Sequence, residues 1–403
     1  MYDLVLQNAI ILTYDSRGND VFIKGSILIK AGNIQDIIQF GIEIPPTKLS
    51  IDCKEKLVTP GLIDCHTHVI YAGNRAEELE KRMGGASYKE IAEKGGGILS
   101  TVDSTRKETY ENLYEEAESR IHQMMLYGTT TCEVKSGYGL DVDTEVKMLR
   151  IAGKLNQKNT GITIVRTFLA AHAIPREFKG KKNEYIHYII HEILPTVAKE
   201  NLADFIDGFC EDFAFSRNEI KTIYAAAAKY GFKYKLHAEQ LSYQGAAAMA
   251  SNMRATSVDH LEHLEDEDCK ILRKNNTVAV LLPGAFYYLK EKKLPPVRSL
   301  LSNNVDIAIA TDHNPGSSPF LSLPLMMNMA CVLFGLTPHQ AFKGVTISAA
   351  KALALDSQLG SIQIGKQADL VLWNCVHYNQ IITNPTFNYR IHTIKNGELS
   401  NNV

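Results

Sequence analysis

Eight apolar runs of strand length constrain this chain more than any other feature. They are LVTPGLIDCH, TTTCEVKSG, ITIVRTFLAAH, FIDGFCED, YKLHAE, TSVDHL, TVAVLL and DIAIATD. Helical segments such as ETYENLYEEAESRIHQMMLYG, RNEIKTIYAAAAKYG and DEDCKILRKNN lie between most of them. Near-continuous apolar strands alternating with helices predict an α/β fold, a parallel (β/α)8 TIM barrel covered on its outside. The segment TPHQAFKGVTISAAKALALD reads as the helix that closes it, and the barrel takes residues 58–355.

Both ends of the chain read differently. LVLQNAIILTY, GSILIKAGN and QDIIQF at the start, and SIQIGKQADLVLWN and YRIHTIKNGEL at the end, are short strands broken by Gly, Asn and Asp. Neither end is long enough for a core of its own. Residues 1–57 and 356–403 are therefore expected to pair into one composite β-sandwich domain, split in sequence by the barrel.

At 403 residues the chain has room for both units. A formal net charge of −2 gives no electrostatic reason to expect nucleic acid or an anionic membrane as a partner. The densest basic run, KGKK at residues 179–182, reads as a solvated turn rather than a phosphate patch. MYDLVLQNAI lacks a basic n-region and a long apolar stretch, which predicts no signal peptide. No segment approaches the ~20 apolar residues that span a bilayer. Seven cysteines without a CxxC pair fit reduced thiols in a cytoplasmic enzyme. Cys65 is assigned to packing, because on a strand it points away from its histidine neighbours. Gly95–Gly97 reads as a flexible loop, since no GK[ST] follows it.

Polar residues fall where chemistry is done in such barrels. His66 and His68, Lys135, His172, Glu211, His237, His260 and Asp312 each sit at or just past the C-terminal end of a proposed strand. That end of the barrel carries the catalytic face. His66 and His68, in DCHTH, share one strand face about 6–7 Å apart. Joined by His237 and Asp312, they make three imidazoles and a carboxylate, a donor set suited to zinc or iron(II).

PGLIDCHTH, the strand-end His237, ATDHNPG and the tail GSIQIGKQADLVLW resemble the amidohydrolase superfamily over essentially the whole chain. Within it, HTHVIYAGNRAEE, GGGILSTV, EVKSGYGLD, FLAAHAIP, HAEQLS, SVDHLEH and ATDHNPGS resemble the imidazolonepropionase family. The resemblance implies a metal-activated water that opens a ring C–N bond of 4-imidazolone-5-propanoate to give N-formimidoyl-L-glutamate. It also implies a homodimer and no macromolecular substrate. Two-metal members of the superfamily bridge their ions with a carboxylated lysine on the fourth strand. FIDGFCED has no lysine, so one divalent ion is expected, with Glu211 or Cys210 as the alternative bridge.

Carried over by the resemblance, the substrate contacts are Arg75, Tyr138, His172, Gln240, Asn314, Gly316 and Ser317. An anionic propanoate calls for a fixed cation, which Arg75 supplies. The NPGS loop offers backbone N–H groups and a hydroxyl. Arg75 as a surface arginine, Tyr138 as packing and His172 as a structural histidine are the plainer alternatives. Lys135 is read as a supporting cation rather than a ligand, and Glu239 as facing away. His260 and Asp312 are the candidates for proton transfer, with His263 a lesser one. Deaminases of the superfamily carry a glutamate three residues after the strand-five histidine, where this chain has Gln240. An amide cannot titrate, which weighs against a deaminase acting on a related amidine, such as one for formimidoylglutamate. A catalytically inert scaffold would have lost ligands, and here all four positions are filled.

Overall fold

The computed structural model describes residues 1–15, 18–85, 96–157 and 161–400. Its centre is a parallel sheet whose order follows the sequence: Leu62–Asp64, Thr129–Lys135, Thr163–Ala171, Phe205–Cys210, a fifth strand in two pieces (Lys233–Tyr234 and His237–Ala238), Ser257–His260, Val278–Leu281 and Ile307–Ile309. These are the eight strands read from the apolar runs, counted one to eight below. Helices Tyr110–Leu126, Val142–Gln157, Arg217–Ala227 and Asp266–Asn275 cover them from outside. Local signals set their starts: the Thr109 hydroxyl caps the first, and Ser216 with Glu219 forms a capping box on the third.

Closure between strands eight and one is thin in backbone pairing and is completed by side chains. Thr67 and His313 form a single parallel bridge. Asp64, fully buried, accepts the Thr311 N–H at 3.1 Å and the Thr311 hydroxyl at 2.6 Å. Asp312 N donates to His66 O at 3.0 Å and His68 N to His313 O at 2.8 Å.

The terminal segments form a second, eight-stranded sheet in the order Glu398–Leu399, Arg390–Lys395, Leu370–Trp373, Leu57–Pro60, Tyr2–Tyr14, Asp20–Lys30, Asn33–Gln39, with Thr47–Asp52 beside Tyr2–Tyr14. Leu6, Ile11, Ile29, Val58, Leu370 and Ile394 meet in its own core. Two details differ from the reading of the runs. LVTPGLIDCH is divided: Leu57–Pro60 pairs in the terminal sheet and Leu62–Asp64 in the barrel. The division falls at Gly61, where a Cβ would lie 2.1 Å from the Thr130 hydroxyl oxygen. The closing helix is also two, Pro338–Gly344 and Ile347–Ala352. Between them Val345 turns its carbonyl to the Ile63 N–H at 2.8 Å, which interrupts the helical ladder.

Trp373 joins the two units. It is 1% exposed, donates from Nε1 to Thr59 Oγ1 at 2.8 Å, and rests on Gly128 at the entry to strand two. Gly128 has φ +88, and a Cβ there would lie 2.5 Å from the indole ring. Gly128→Ala is therefore expected to cost ~1–3 kcal/mol through overpacking and an unfavourable φ. Thermal unfolding checks it, and an unchanged midpoint would remove Trp373 as the anchor.

Candidate active site

The backbone bridge between strands one and eight sets His66, His68 and Asp312 side by side. His66 Nε2 and His68 Nε2 are 3.3 Å apart, and Asp312 Oδ1 lies 3.3 Å from the first and 3.6 Å from the second. His237 closes a group with His66 and His68 in which the three ligand atoms lie within 4.8 Å of one another, and His260 forms an overlapping group with His66 and Asp312. Four ligands at zinc bond lengths of ~2.0–2.1 Å in a tetrahedron stand about 3.4 Å apart. The observed edges fit that size. His237 Nε2 is buried with no hydrogen-bond partner among the described residues, a cost that a bound cation removes. Burial holds His66, His68 and His260 well below the usual imidazole range, in the neutral form that ligates. Burial also lifts the Asp312 carboxyl well above the usual range, so its anion is favoured only beside a strong positive charge.

Beneath this cluster lies a buried layer that orients it. His66 Nδ1–H donates to Asp259 Oδ2 at 2.6 Å, and His237 Nδ1 stands 3.0 Å from Asp207 Oδ2. Each contact directs the opposite ring nitrogen at the cluster. Asp259 is held in turn by the Ser257 hydroxyl at 2.6 Å, and Asp207 by the Gly208 N–H at 2.7 Å. Lys135 lies 2.7 Å from Asp207 and 2.9 Å from Glu133, and Lys235 lies 3.1 Å from Glu133. Burial would push Asp207 up, but His237 and Lys135 outweigh it and hold the carboxylate well below its usual range.

Above the cluster is a partly open cavity. Arg75, Tyr138, His172, Gln240, Asn314 and Ser317 line it, with His68, His237, His260 and Asp312 in the same wall. His172 Nδ1–H donates to Gly137 O at 2.9 Å, and its ring stacks on His68 at 5.3 Å. Burial lowers it to about 3, so it stays neutral. Arg75 differs from a freely presented cation. Its Nε donates to Glu78 Oε2 at 2.8 Å and its Nη2 lies 2.7 Å from the same oxygen. Its Nη1 passes directly over Gly316, where a Cβ would lie 1.8 Å away. Gly316 thus makes room for Arg75 and does not itself line the cavity.

The NPGS loop also differs from expectation. The Gly316 and Ser317 N–H groups donate to Asn314 Oδ1 at 2.9 and 2.7 Å, and Asn314 Nδ2 donates to Asp312 O and Ser317 Oγ. Asn314 shapes the loop, and the N–H groups point at it rather than at the cavity. Glu211 accepts from Leu241 N at 2.8 Å and the Ser242 hydroxyl at 2.5 Å, and Cys210 is buried in the core; neither joins the ligand cluster. Glu239 faces away and receives the Ala246 and Ala247 N–H groups at a helix start. His263 is half-buried and off the cavity wall. Cys65 packs in a core cluster. Of Gly95–Gly97, Gly95 lies outside the described residues.

The amidohydrolase family model matches residues 57–399. Over 403 residues the chain is 46% identical to the imidazolonepropionase of Psychromonas ingrahamii, covering 99% of this chain and 100% of that one. It is 48% identical over 379 residues to the imidazolonepropionase of Vibrio vulnificus, covering 93% and 92%. The chain belongs to the imidazolonepropionase family of amidohydrolases. A 5-methylcytosine deaminase from Klebsiella pneumoniae, liganded with 5-fluorocytosine, shares the fold, with a TM-score of 0.77 at 13% identity over 98% of this chain and 96% of that one.

In this imidazolonepropionase-family chain, several supporting residues escaped the sequence reading. Glu133, Asp207, Lys235 and Asp259 are buried charges within the barrel strands or, for Lys235, between the two pieces of the fifth, and their presence there was the available signal. Glu145 is another. Fully buried in the first turn of Val142–Gln157, its carboxylate receives the N–H groups of Gly137, Gly139 and Leu140 at 2.9–3.1 Å, holding the SGYG loop under Tyr138. Glu145→Ala leaves three buried donors without an acceptor, each worth ~1–3 kcal/mol. We expect a lower unfolding midpoint and faster proteolysis within the loop. Unaltered cleavage there would mean the loop holds itself.

Proposed function

We propose that this chain hydrolyses the ring C–N bond of 4-imidazolone-5-propanoate to N-formimidoyl-L-glutamate, the third step of histidine degradation. The observation that carries the reading is one cavity whose wall holds both His68, His237, His260 and Asp312 of the imidazole–carboxylate cluster and a buried guanidinium. His66, His68, His237 and Asp312 would hold one divalent ion, zinc or iron(II). Bound there, the ion activates water and polarises the ring carbonyl.

This chain's own residues do the rest. Arg75, fixed by Glu78 and seated over Gly316, binds the propanoate through the edge of the guanidinium turned away from Glu78. Tyr138 and His172 pack against the ring from the SGYG side, and His172 Nε2, left as an acceptor by the Gly137 contact, takes a ring N–H. Gln240 orients the substrate without titrating. Asn314 holds Ser317 in the wall, where the hydroxyl contacts substrate. Asp312 takes the proton given up by the attacking water and returns it to the leaving ring nitrogen. His260, neutral because buried, with Nδ1 unpartnered among the described residues, hydrogen-bonds the developing oxyanion. One water is consumed, the ring amide opens to a carboxylate and an amidine N–H, and no ammonia leaves.

The rival reading is an amidohydrolase that deaminates a related amidine, and Gln240 stands against it. Its product would include free ammonia, which separates the two. We assign the terminal segments to one composite β domain and the middle of the chain to the catalytic barrel, with the first boundary at Gly61 rather than at residue 57. A cytoplasmic homodimer completes the proposal, and sedimentation velocity tests the dimer. No described helix is long and apolar enough to cross a membrane.

Loss of the imidazolone ultraviolet band measures the reaction directly. We expect chelation to abolish activity and zinc or iron(II) to restore it. Arg75→Ala should raise KM at least tenfold with kcat within a few-fold, the pattern of lost ground-state binding. Equal kinetics for variant and parent would take Arg75 out of the site, and ammonia release would favour the rival.

A further inference from the structure

We propose that Arg82 is a positioning residue for the substrate carboxylate: it becomes the counter-ion of Glu78 when a second carboxylate binds Arg75. The inference deepens the proposed function and rests on its reading of Arg75 as the propanoate site.

Three charged side chains share one face of the short helix that follows strand one. Arg75 caps the N-terminus of helix Ala76–Met83, Glu78 lies three residues on and Arg82 four beyond that. The spacing i, i+3, i+7 stacks them along a single stripe. Arg75 and Glu78 are both buried; Arg75 Nε donates to Glu78 Oε2 at 2.8 Å, and Nη2 lies 2.7 Å from the same oxygen. Glu78 Oε1 accepts the Gly97 N–H at 2.7 Å. The two opposite charges cancel.

Arg82 is left over. Its Nε, Nη1 and Nη2 are all buried without a hydrogen-bond partner among the described residues. The guanidinium lies over the Tyr288 ring instead, 4.5 Å from the centroid. Tyr288 belongs to helix Pro283–Leu289, whose Leu289 lines the cavity. An aromatic face offsets part of the cost of desolvating a cation, but it supplies no acceptor oxygen for the N–H donors. Counted over these residues, the stripe holds one positive charge more than its carboxylate balances.

A propanoate on Arg75 changes that count. Two carboxylates on one buried guanidinium leave a net negative charge, which surroundings of low dielectric penalise. Arg82 sits one helical turn past Glu78, and glutamate N-terminal to the cation is the favoured order for an i, i+4 pair. Turned from Tyr288 to Glu78, it completes a row of alternating sign: propanoate, Arg75, Glu78, Arg82. The row is neutral only with the anion in it. Arg82 therefore selects for charge without touching the ligand.

Calorimetry on the purified chain tests this with two probes. 3-(Imidazol-4-yl)propanoate keeps the ring and the propanoate, and 4-propylimidazole lacks the carboxylate. We expect Arg82→Met to weaken the anionic probe by about fivefold or more, with the neutral probe within about twofold. The unfolding midpoint of ligand-free Arg82→Met should not fall below the parent's, because the variant removes an unpaired buried charge. Arg82→Lys keeps the charge and should bind the anionic probe nearly as the parent does. With Glu78→Gln already in place, Arg82→Met should have no further effect on either probe. Equal loss of both probes with a lowered midpoint would make Arg82 a structural arginine and overturn the inference. Parent-like affinity of Arg82→Met for the anionic probe would also overturn it, as would the full loss persisting beside Glu78→Gln; both leave the propanoate reading standing. A parent that does not bind the anionic probe would overturn that reading and this inference with it. If Arg82→Met is insoluble, Arg82→Gln carries the same expectations, and insolubility of both assigns the guanidinium to the fold and ends the inference.

Discussion

The two layers of the site meet in a single imidazole. His66 gives Nδ1–H to Asp259 at 2.6 Å and presents Nε2 at 3.3 Å from both His68 Nε2 and Asp312 Oδ1. A neutral imidazole has one donor and one acceptor nitrogen, so fixing the donor fixes what the acceptor faces. Asp259 lies 193 residues from His66 in the chain, and only a closed sheet brings strands one and six to one axis. Closure itself runs through the same short stretches: Asp64 holds Thr311, and Thr67 bridges His313, on either side of the proposed ligands. Stability of the seam and geometry of the site are therefore one problem. A loosened seam would separate His66 and His68 from Asp312.

The strand ends adopt backbone conformations that the strands do not. Glu239, His260, Leu261 and Asp312 all have φ between 51° and 84°. Each left-handed non-glycine residue costs roughly 1 kcal/mol or more. The purpose is directional. Extended backbone alternates its side chains between barrel interior and exterior, and a left-handed step at the last residue re-aims the chain into a loop without giving up the inward side chain. Neighbouring loops offset the strain by bracing one another: Leu261 N donates to Ala238 O at 3.2 Å and His263 N to Glu239 O at 2.7 Å. Strands five and six thus hold His237 and His260 at ring centroids 5.4 Å apart.

Much of this is legible in the chain because it is local. Period-2 patterning pairs His66 with His68, although the strand ends at Asp64 and both lie just past it, and strand-end placement points to His237, His260 and Asp312. What is not legible depends on partners far away in sequence. Glu133 and Lys235 read in the chain as charges without a partner on another strand, and their meaning appears only when closure sets them 3.1 Å apart. Arg75 reads as an open cation because nothing local says whether Glu78, one helical turn on, points towards it. Gly316 reads as a substrate contact, whereas its role is to leave room for Arg75. The NPGS loop carries hydrogen-bond donors in its sequence, but Asn314 closes the turn on itself and takes two of them. Residue type is visible in the chain; orientation is not.

Sharing of the fold with a deaminase at 13% identity separates what the barrel dictates from what its side chains decide. The barrel dictates that strand-end residues converge, and any sequence that closes it inherits that convergence. The chemistry is written in a few positions that the fold tolerates either way. Gln240 is one, since a glutamate would fill the same volume and carry a proton. Such positions cost little in foldability, because the core is carried by the leucines, isoleucines and alanines around them. That is why one scaffold can keep its architecture at such low identity while the reaction at its mouth changes.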